Sequence, residues 1–108
     1  MEPNITKAAQ FSHVVIFWTD PEKPEAADRV IAGGNQFLKS IPGVKHFHIG
    51  KMVGSHRPVV DQTYQVALNI EFGSKHEEHE YQVHPQHLQF VEQCVKLFVK
   101  RVVVYDFE

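Results

Sequence analysis

The chain has 108 residues, 11 basic and 13 acidic side chains and a formal net charge of −2, which fits one domain. The basic residues are scattered, which argues against nucleic acid or an anionic membrane as a partner. No apolar run is long enough to span a membrane, the N-terminus has no signal-peptide pattern, and a single cysteine excludes an intrachain disulfide. We therefore expect a cytoplasmic protein with one domain over residues 1–108, of which residues 1–10 are a polar N-terminal extension.

The first half of the chain predicts two strands with one helix between them. Phe11 to Thr19 is rich in β-branched and aromatic residues, which favours a strand. From Glu25 to Ser40 the apolar residues recur at helical spacing, and Ile41-Pro42-Gly43 ends that helix. Val44 to Met52 is the second predicted strand.

The second half predicts a strand, two helices and a final strand. Thr63 to Phe72 alternates between apolar and polar side chains, which indicates a strand with one buried face. Ser74 to Glu77 is a capping box that opens a short helix, and this helix must stop before Pro85. A longer amphipathic helix follows to Lys100, and Arg101 to Phe107 is the last strand. The order β-α-β-β-α-β predicts an α+β, ferredoxin-like fold with two helices on one face of a four-stranded antiparallel sheet.

The first and last strands carry apolar residues on both faces, although the helices cover only one face of the sheet. On the first strand Val14, Ile16 and Trp18 alternate with Val15 and Phe17. An exposed apolar sheet face usually marks an interface. We therefore expect a symmetric homodimer in which two sheets form a barrel-like pair. The alternative is a monomer with an open apolar face.

His87 is the most informative single residue, because it falls in the middle of the apolar face of the last helix. Burial and the positive end of the helix dipole both disfavour the imidazolium, so we expect a lowered pKa and a neutral ring. Such a ring can abstract a proton next to a carbonyl while Tyr81 donates to the developing enolate. The alternative is a structural histidine that is hydrogen-bonded within the core.

Several short motifs resemble the stress-responsive dimeric α/β-barrel proteins, the Dabb family. They are His13-Val14-Val15, Ile41-Pro42-Gly43-Val44, Tyr64 to Phe72, Tyr81-x-x-His84-Pro85-x-His87 and the terminal Val104-Tyr105-Asp106-Phe107. The resemblance spans nearly the whole chain, and the tyrosine–His-Pro-x-His motif is its most specific part. It implies the fold and the dimer argued above, and it implies little about activity.

One branch of that family comprises plant polyketide cyclases. In that branch a histidine at the position matching His87 is the general base, and a tyrosine at the position matching Tyr81 holds the substrate. Both residue types are present here. The branch has a further histidine on the third strand, where this chain has Val66, so its residue set is incomplete here.

A ligand pocket is expected between sheet and helices. Gly34 lies on the sheet-facing side of the first helix, where a glycine leaves either empty volume or room for close packing. The expected ligand-binding residues are those predicted to face this space, namely His13, Val15, Phe17, Gly34, Val66, Leu68, His84 and Val91. His84 has a second interpretation as the cap of the helix that starts at Pro85.

The remaining histidines indicate no clear metal centre. His46 and His48 share a strand face, but no third ligand is evident, so no metal is predicted. The chain also lacks the glycine-rich and nucleophile motifs of cofactor-dependent enzymes, so no cofactor is expected.

The predicted function is binding of a small, apolar, carbonyl-bearing ligand, with His87 and Tyr81 as catalytic residues for cofactor-independent, cyclase- or lyase-like acid–base chemistry. The alternative is a non-catalytic stress-responsive or ligand-carrier protein with structural histidines. A cofactor-less oxygenase is a third interpretation, and no residue pattern here identifies its substrate.

Overall fold

The computed structural model describes residues 11–108, so the predicted extension over residues 1–10 lies outside the described residues. The strands are β1 (Phe11–Thr19), β2 (Val44–Lys51), β3 (Val66–Phe72) and β4 (Val99–Phe107). The helices are α1 (Ala26–Gly33), α2 (Lys75–Val83), α3 (Pro85–Phe90) and α4 (Lys96–Phe98). The sheet order is β2-β3-β1-β4 with antiparallel pairing throughout, which confirms the ferredoxin-like α+β fold.

The core lies between one face of the sheet and the helices. On β1 the alternate residues Phe11, His13, Val15 and Phe17 are buried, while the residues between them are half-buried. The apolar residues of β3 are buried in the same alternating pattern, starting at Val66. Period-two alternation therefore assigned both central strands to the correct face.

Both long predicted helices contain a π-helical segment, which periodicity did not predict. The first segment is Gly34–Leu38, after α1, and the second is Val91–Val95, between α3 and α4. The two segments lie where the helices pack closely, because a Cβ on Gly33 would overlap the Cys94 sulfur. π-Helical turns are frequent at functional sites.

Two helix ends agree with the capping signals in the sequence. The Ser74 hydroxyl accepts a hydrogen bond from the Glu77 backbone N–H at 3.2 Å, as the capping box predicts. The His84 ring accepts one from the Gln86 backbone N–H at 3.1 Å, so His84 caps α3. The junction between α2 and α3 therefore consists of His84 alone, which has an extended backbone before Pro85.

Strand β4 is longer than predicted and is exposed on both faces. It starts at Val99, because the Asp20 backbone N–H donates to the Phe98 carbonyl at 2.8 Å and the helix ends there. On the open face of the sheet Tyr105 is 59% exposed, and on the helix-facing side Val102 and Val104 are 41% and 47% exposed. The helices therefore leave the β4 end of the core uncovered.

Candidate functional site

A cavity of about 200 Å³ lies between the sheet, the α2–α3 junction and the second π-helical segment. Most of its wall is apolar, and four residues bring polar groups to it: His13, Tyr81, Gln82 and His87. Its apolar wall combines core residues such as Phe17 with the exposed Val102 and Val104 of β4. Because β4 is an edge strand, this side of the cavity faces the uncovered end of the core.

The structure brings most of the sequence-predicted site residues together at this cavity. His13, Val15, Phe17, Leu68, Tyr81, His87 and Val91 all line it. Gly34, Val66 and His84 lie outside its wall. Val66 is fully buried in the core, and His84 caps α3.

Gly34 serves close packing rather than cavity volume. A Cβ at this position would lie 2.6 Å from Ile49 Cδ1 and 3.7 Å from the Phe47 ring. Because these separations leave little room for a methyl group, Gly34 allows the first π-helical segment to approach β2. Of the two interpretations that the sequence left open for this glycine, the packing interpretation agrees with the contacts.

Tyr81 stands between the two histidines of the cavity. It is 1% exposed, and its ring packs edge-on against His87 at 4.9 Å and against His13 at 6.0 Å between ring centroids. Burial, reinforced by the nearby Glu78 carboxylate, raises the pKa of the Tyr81 hydroxyl, so the phenol stays protonated at neutral pH. Tyr81 is therefore a hydrogen-bond donor rather than a base.

His87 has the lowered pKa that its place on the apolar helix face predicts. Burial is the main cause of the lowered pKa, the charge on a protonated His13 adds to it, and the Gln82 backbone opposes it. Its Nδ1 is buried and makes no hydrogen bond to another described residue. Buried polar atoms normally have a hydrogen-bond partner, and a catalytic role is one explanation for a buried nitrogen that has none.

His13 is held by an acidic network that the sequence analysis did not identify. Its Nδ1 lies 2.5 Å from an Asp106 carboxylate oxygen and 3.7 Å from a Glu78 oxygen. The Gln82 amide donates to the same Glu78 oxygen at 2.6 Å and lies 3.5 Å from His13 Nε2. Two sequence patterns could have indicated this network. The alternation of Val102, Val104 and Asp106 puts Asp106 on the helix-facing side of the sheet, and the four-residue spacing of Glu78 and Gln82 puts them on one side of a helix.

The pair of histidines on β2 is not joined into a metal centre. His46 and His48 are exposed on an edge strand, opposite Glu71 and Asn69. Within residues 11–108 no third His, Cys, Asp or Glu completes a ligand group around them.

This fold and cavity define a class of protein: a small ferredoxin-like α+β domain with a hollow, largely apolar interior beside the edge strand. Within that class the sequence profile of the Stress responsive A/B Barrel Domain, Dabb, matches residues 11–108. The chain belongs to this family, which confirms the resemblance drawn from its motifs. None of the curated proteins compared with the chain matches it significantly.

Solved structures share the fold at low sequence identity. A Dabb family protein with a ferredoxin-like fold from Mesorhizobium loti is 23% identical, with a TM-score of 0.75 over 93% of this chain and 96% of the other. A dimeric ferredoxin-like protein of unknown function from Thermobifida fusca is 18% identical, with a TM-score of 0.76 over 99% and 97%. A hydroxynitrile lyase from Passiflora edulis is 17% identical, with a TM-score of 0.74 over 90% of each chain. At these identities the likeness establishes the fold alone.

Among the helices of residues 11–108, none combines the length and the apolar character that a membrane span requires.

Proposed function

We propose that this protein binds a small, largely apolar, carbonyl-bearing molecule in the cavity and that His87 and Tyr81 act on it by acid–base chemistry. The observation that carries the proposal is the meeting of these two rings, 4.9 Å apart, at the wall of an otherwise mostly apolar cavity. A hollow with a few convergent polar groups is the usual form of a small-ligand site.

The size of the cavity limits the ligand. An engineered cavity of about 150 Å³ accepts benzene, and the cavity here measures about 200 Å³. A ligand of one six-membered ring with a short carbonyl substituent therefore matches the space. The apolar wall contacts the ring, and the polar groups of His87 and Tyr81 receive the carbonyl end.

The two side chains have complementary roles in the proposed step. The lowered pKa keeps His87 neutral, so one ring nitrogen has a free lone pair and can act as the base. This nitrogen takes a proton from the carbon next to the carbonyl, and the electron pair of that C–H bond moves to the carbonyl oxygen as an enolate. The protonated Tyr81 hydroxyl donates a hydrogen bond to that oxygen. A lyase among the structural neighbours indicates that the same fold supports catalysis in another protein.

Acetophenone and ethylbenzene test the proposal, because they have similar shapes and only acetophenone carries a carbonyl. We expect both to perturb the NMR signals of the cavity residues, acetophenone more strongly at His87 and Tyr81. In D₂O we expect the protein to catalyse exchange of the acetophenone methyl protons for deuterium. Since a general base contributes about 10²–10⁴-fold, His87→Gln should remove most of this exchange.

The matched control is His79→Gln, because His79 is an exposed histidine on α2. This variant should exchange deuterium at the wild-type rate. Binding of both compounds without exchange would favour the carrier alternative, in which the histidines are structural. Binding of neither compound, by a protein whose thermal unfolding is normal, would refute the proposal.

We propose further that the protein is a homodimer associated through the open face of the sheet. Tyr105 and Phe107 are exposed on that face, and a structural neighbour is described as dimeric. We expect Tyr105→Glu to convert the dimer to a monomer in light-scattering measurements. Leu97→Glu is the control, because Leu97 is 52% exposed on α4 in the helix layer and should leave the dimer intact. Dissociation by Leu97→Glu alone would contradict the sheet-face interface.

A further inference from the structure

Three side chains from three separate elements converge next to the cavity. They are His13 on β1, Glu78 on α2 and Asp106 on β4, and their ligand-type atoms lie within 4.8 Å of one another. The imidazole Nδ1 faces both carboxylates, at 2.5 Å from Asp106 and 3.7 Å from Glu78. The group therefore brings one nitrogen donor and two oxygen donors close enough together to bind one ion.

The charges in this group are not balanced by the described residues. Glu78 is 9% exposed, and a buried carboxylate whose charge is not balanced is costly. Within residues 11–108, the only cationic or potentially cationic side chain that forms an ion pair with either carboxylate is His13. Even a protonated His13 leaves one net negative charge, whereas a divalent cation with a neutral imidazole makes the group neutral.

We propose that His13, Glu78 and Asp106 form a binding site for a divalent transition-metal ion. Ligand distances of about 2.0–2.2 Å around such an ion put neighbouring donor atoms about 3–3.6 Å apart. The observed separations of 2.5 and 3.7 Å bracket this range, so small side-chain movements suffice. One imidazole with two carboxylates suits Zn²⁺, Fe²⁺ or Mn²⁺ better than Ca²⁺ or Mg²⁺.

The surroundings of the group have the other features of a metal site. The Gln82 amide donates to Glu78 at 2.6 Å, and such outer contacts orient metal ligands. The Asp106 side chain is 42% exposed, which provides an entry path for the ion. Three protein ligands leave at least one coordination position free, and His13 also lines the cavity. None of the three proposed ligands is His87 or Tyr81, the two residues of the proposed acid–base step.

The test titrates the chelator-treated, full-length protein with Zn²⁺ and separately with Mn²⁺ by calorimetry. We expect one ion per chain and a rise in the melting temperature on binding. Glu78→Gln and Asp106→Asn keep side-chain size and should each weaken Zn²⁺ binding by at least about tenfold. Circular dichroism and thermal unfolding of both variants show whether the metal-free fold is kept.

The controls separate this site from adventitious binding by surface histidines. Glu80→Gln removes an exposed carboxylate of α2 that pairs with His76, and the double variant His46→Gln/His48→Gln removes the β2 pair. Both should bind Zn²⁺ like the wild type. Absence of binding, or binding lost only in these control variants, would overturn the proposal.

If Glu78→Gln or Asp106→Asn unfolds, X-ray absorption spectroscopy of the wild-type zinc complex provides the test. Coordination by one nitrogen and two carboxylate oxygens would support the site, and coordination by two or more histidines would refute it. The deuterium-exchange assay of the proposed acid–base step is carried out in chelator, on metal-free protein. Its result does not depend on whether the metal site exists, so the failure of one proposal can be distinguished from the failure of the other.

Discussion

The close approach of α1 to the second π-helical segment predicts a strong coupling between Gly33 and Cys94. A Cβ added to Gly33 would overlap the Cys94 sulfur and would lie 3.4 Å from Phe90 Cδ1. Gly33→Ala therefore overpacks this contact, and Cys94→Ala removes the atom that is overlapped. The double variant places the new methyl group in the space that the sulfur leaves.

The expected magnitudes follow from these contacts. Overpacking a core costs about 1–3 kcal/mol, from which the helix propensity of alanine over glycine recovers about 1 kcal/mol. Gly33→Ala should therefore lower the free energy of unfolding by up to about 2 kcal/mol. Cys94→Ala alone loses buried apolar volume that corresponds to about 1 kcal/mol. The double variant should be close to the wild type, which corresponds to a coupling of about 1–3 kcal/mol.

Urea unfolding of the four proteins at one fixed protein concentration measures this coupling, because the stability of an oligomer depends on concentration. The control cycle pairs Cys94→Ala with Gly34→Ala, whose Cβ would meet Ile49 and not the sulfur. The control effects should add within about 0.5 kcal/mol. If the effects of Gly33→Ala and Cys94→Ala add in the same way, the claim that Gly33 and Cys94 set the spacing between the helices is refuted.

Two further predictions concern His87 and His84. Because the His87 pKa is lowered by burial, the unfolded chain binds more protons than the folded one below the ordinary histidine pKa of about 6.5, so stability falls as the pH drops below that value. His87→Gln should lack this part of the slope, which is at most about 1.4 kcal/mol per pH unit; an identical pH dependence of urea unfolding in both proteins would contradict the lowered pKa. His84→Ala removes the cap of α3 and should cost about 1 kcal/mol, whereas His84→Asn, which retains a capping acceptor, should cost less. Equal melting temperatures for the alanine and asparagine variants would show that the cap contributes nothing.

The element order and most of the site were predictable from local patterns. Period-two alternation assigned His13, Val15 and Phe17 to the helix-facing side of β1, and helical periodicity placed His87 on the apolar face of its helix. These patterns predict which face of an element is buried. Because a domain of this size has a single core, residues on the buried faces come close to one another. The lowered His87 pKa followed from the same argument, since burial is its largest cause.

The acidic network around His13 could not be predicted in the same way. Asp106 meets His13 because β4 pairs with β1 in one register, and a shift by one residue would turn Asp106 to the other face. Glu78 reaches the same imidazole only because α2 packs over that end of the sheet. Neither contact has a local sequence signal that specifies its partner.

The sequence by itself determined which face of each central strand is buried, where the capped helices begin and which family the chain resembles, because hydrophobic period, capping residues and short motifs are local properties. Tertiary structure alone decided that Gly34 packs against Ile49, that a cavity remains beside β4, and that two carboxylates meet on His13. The physical reason is that cavities and long-range contacts depend on strand register and on how far helices approach the sheet. These are properties of packing between distant segments, which no single segment encodes.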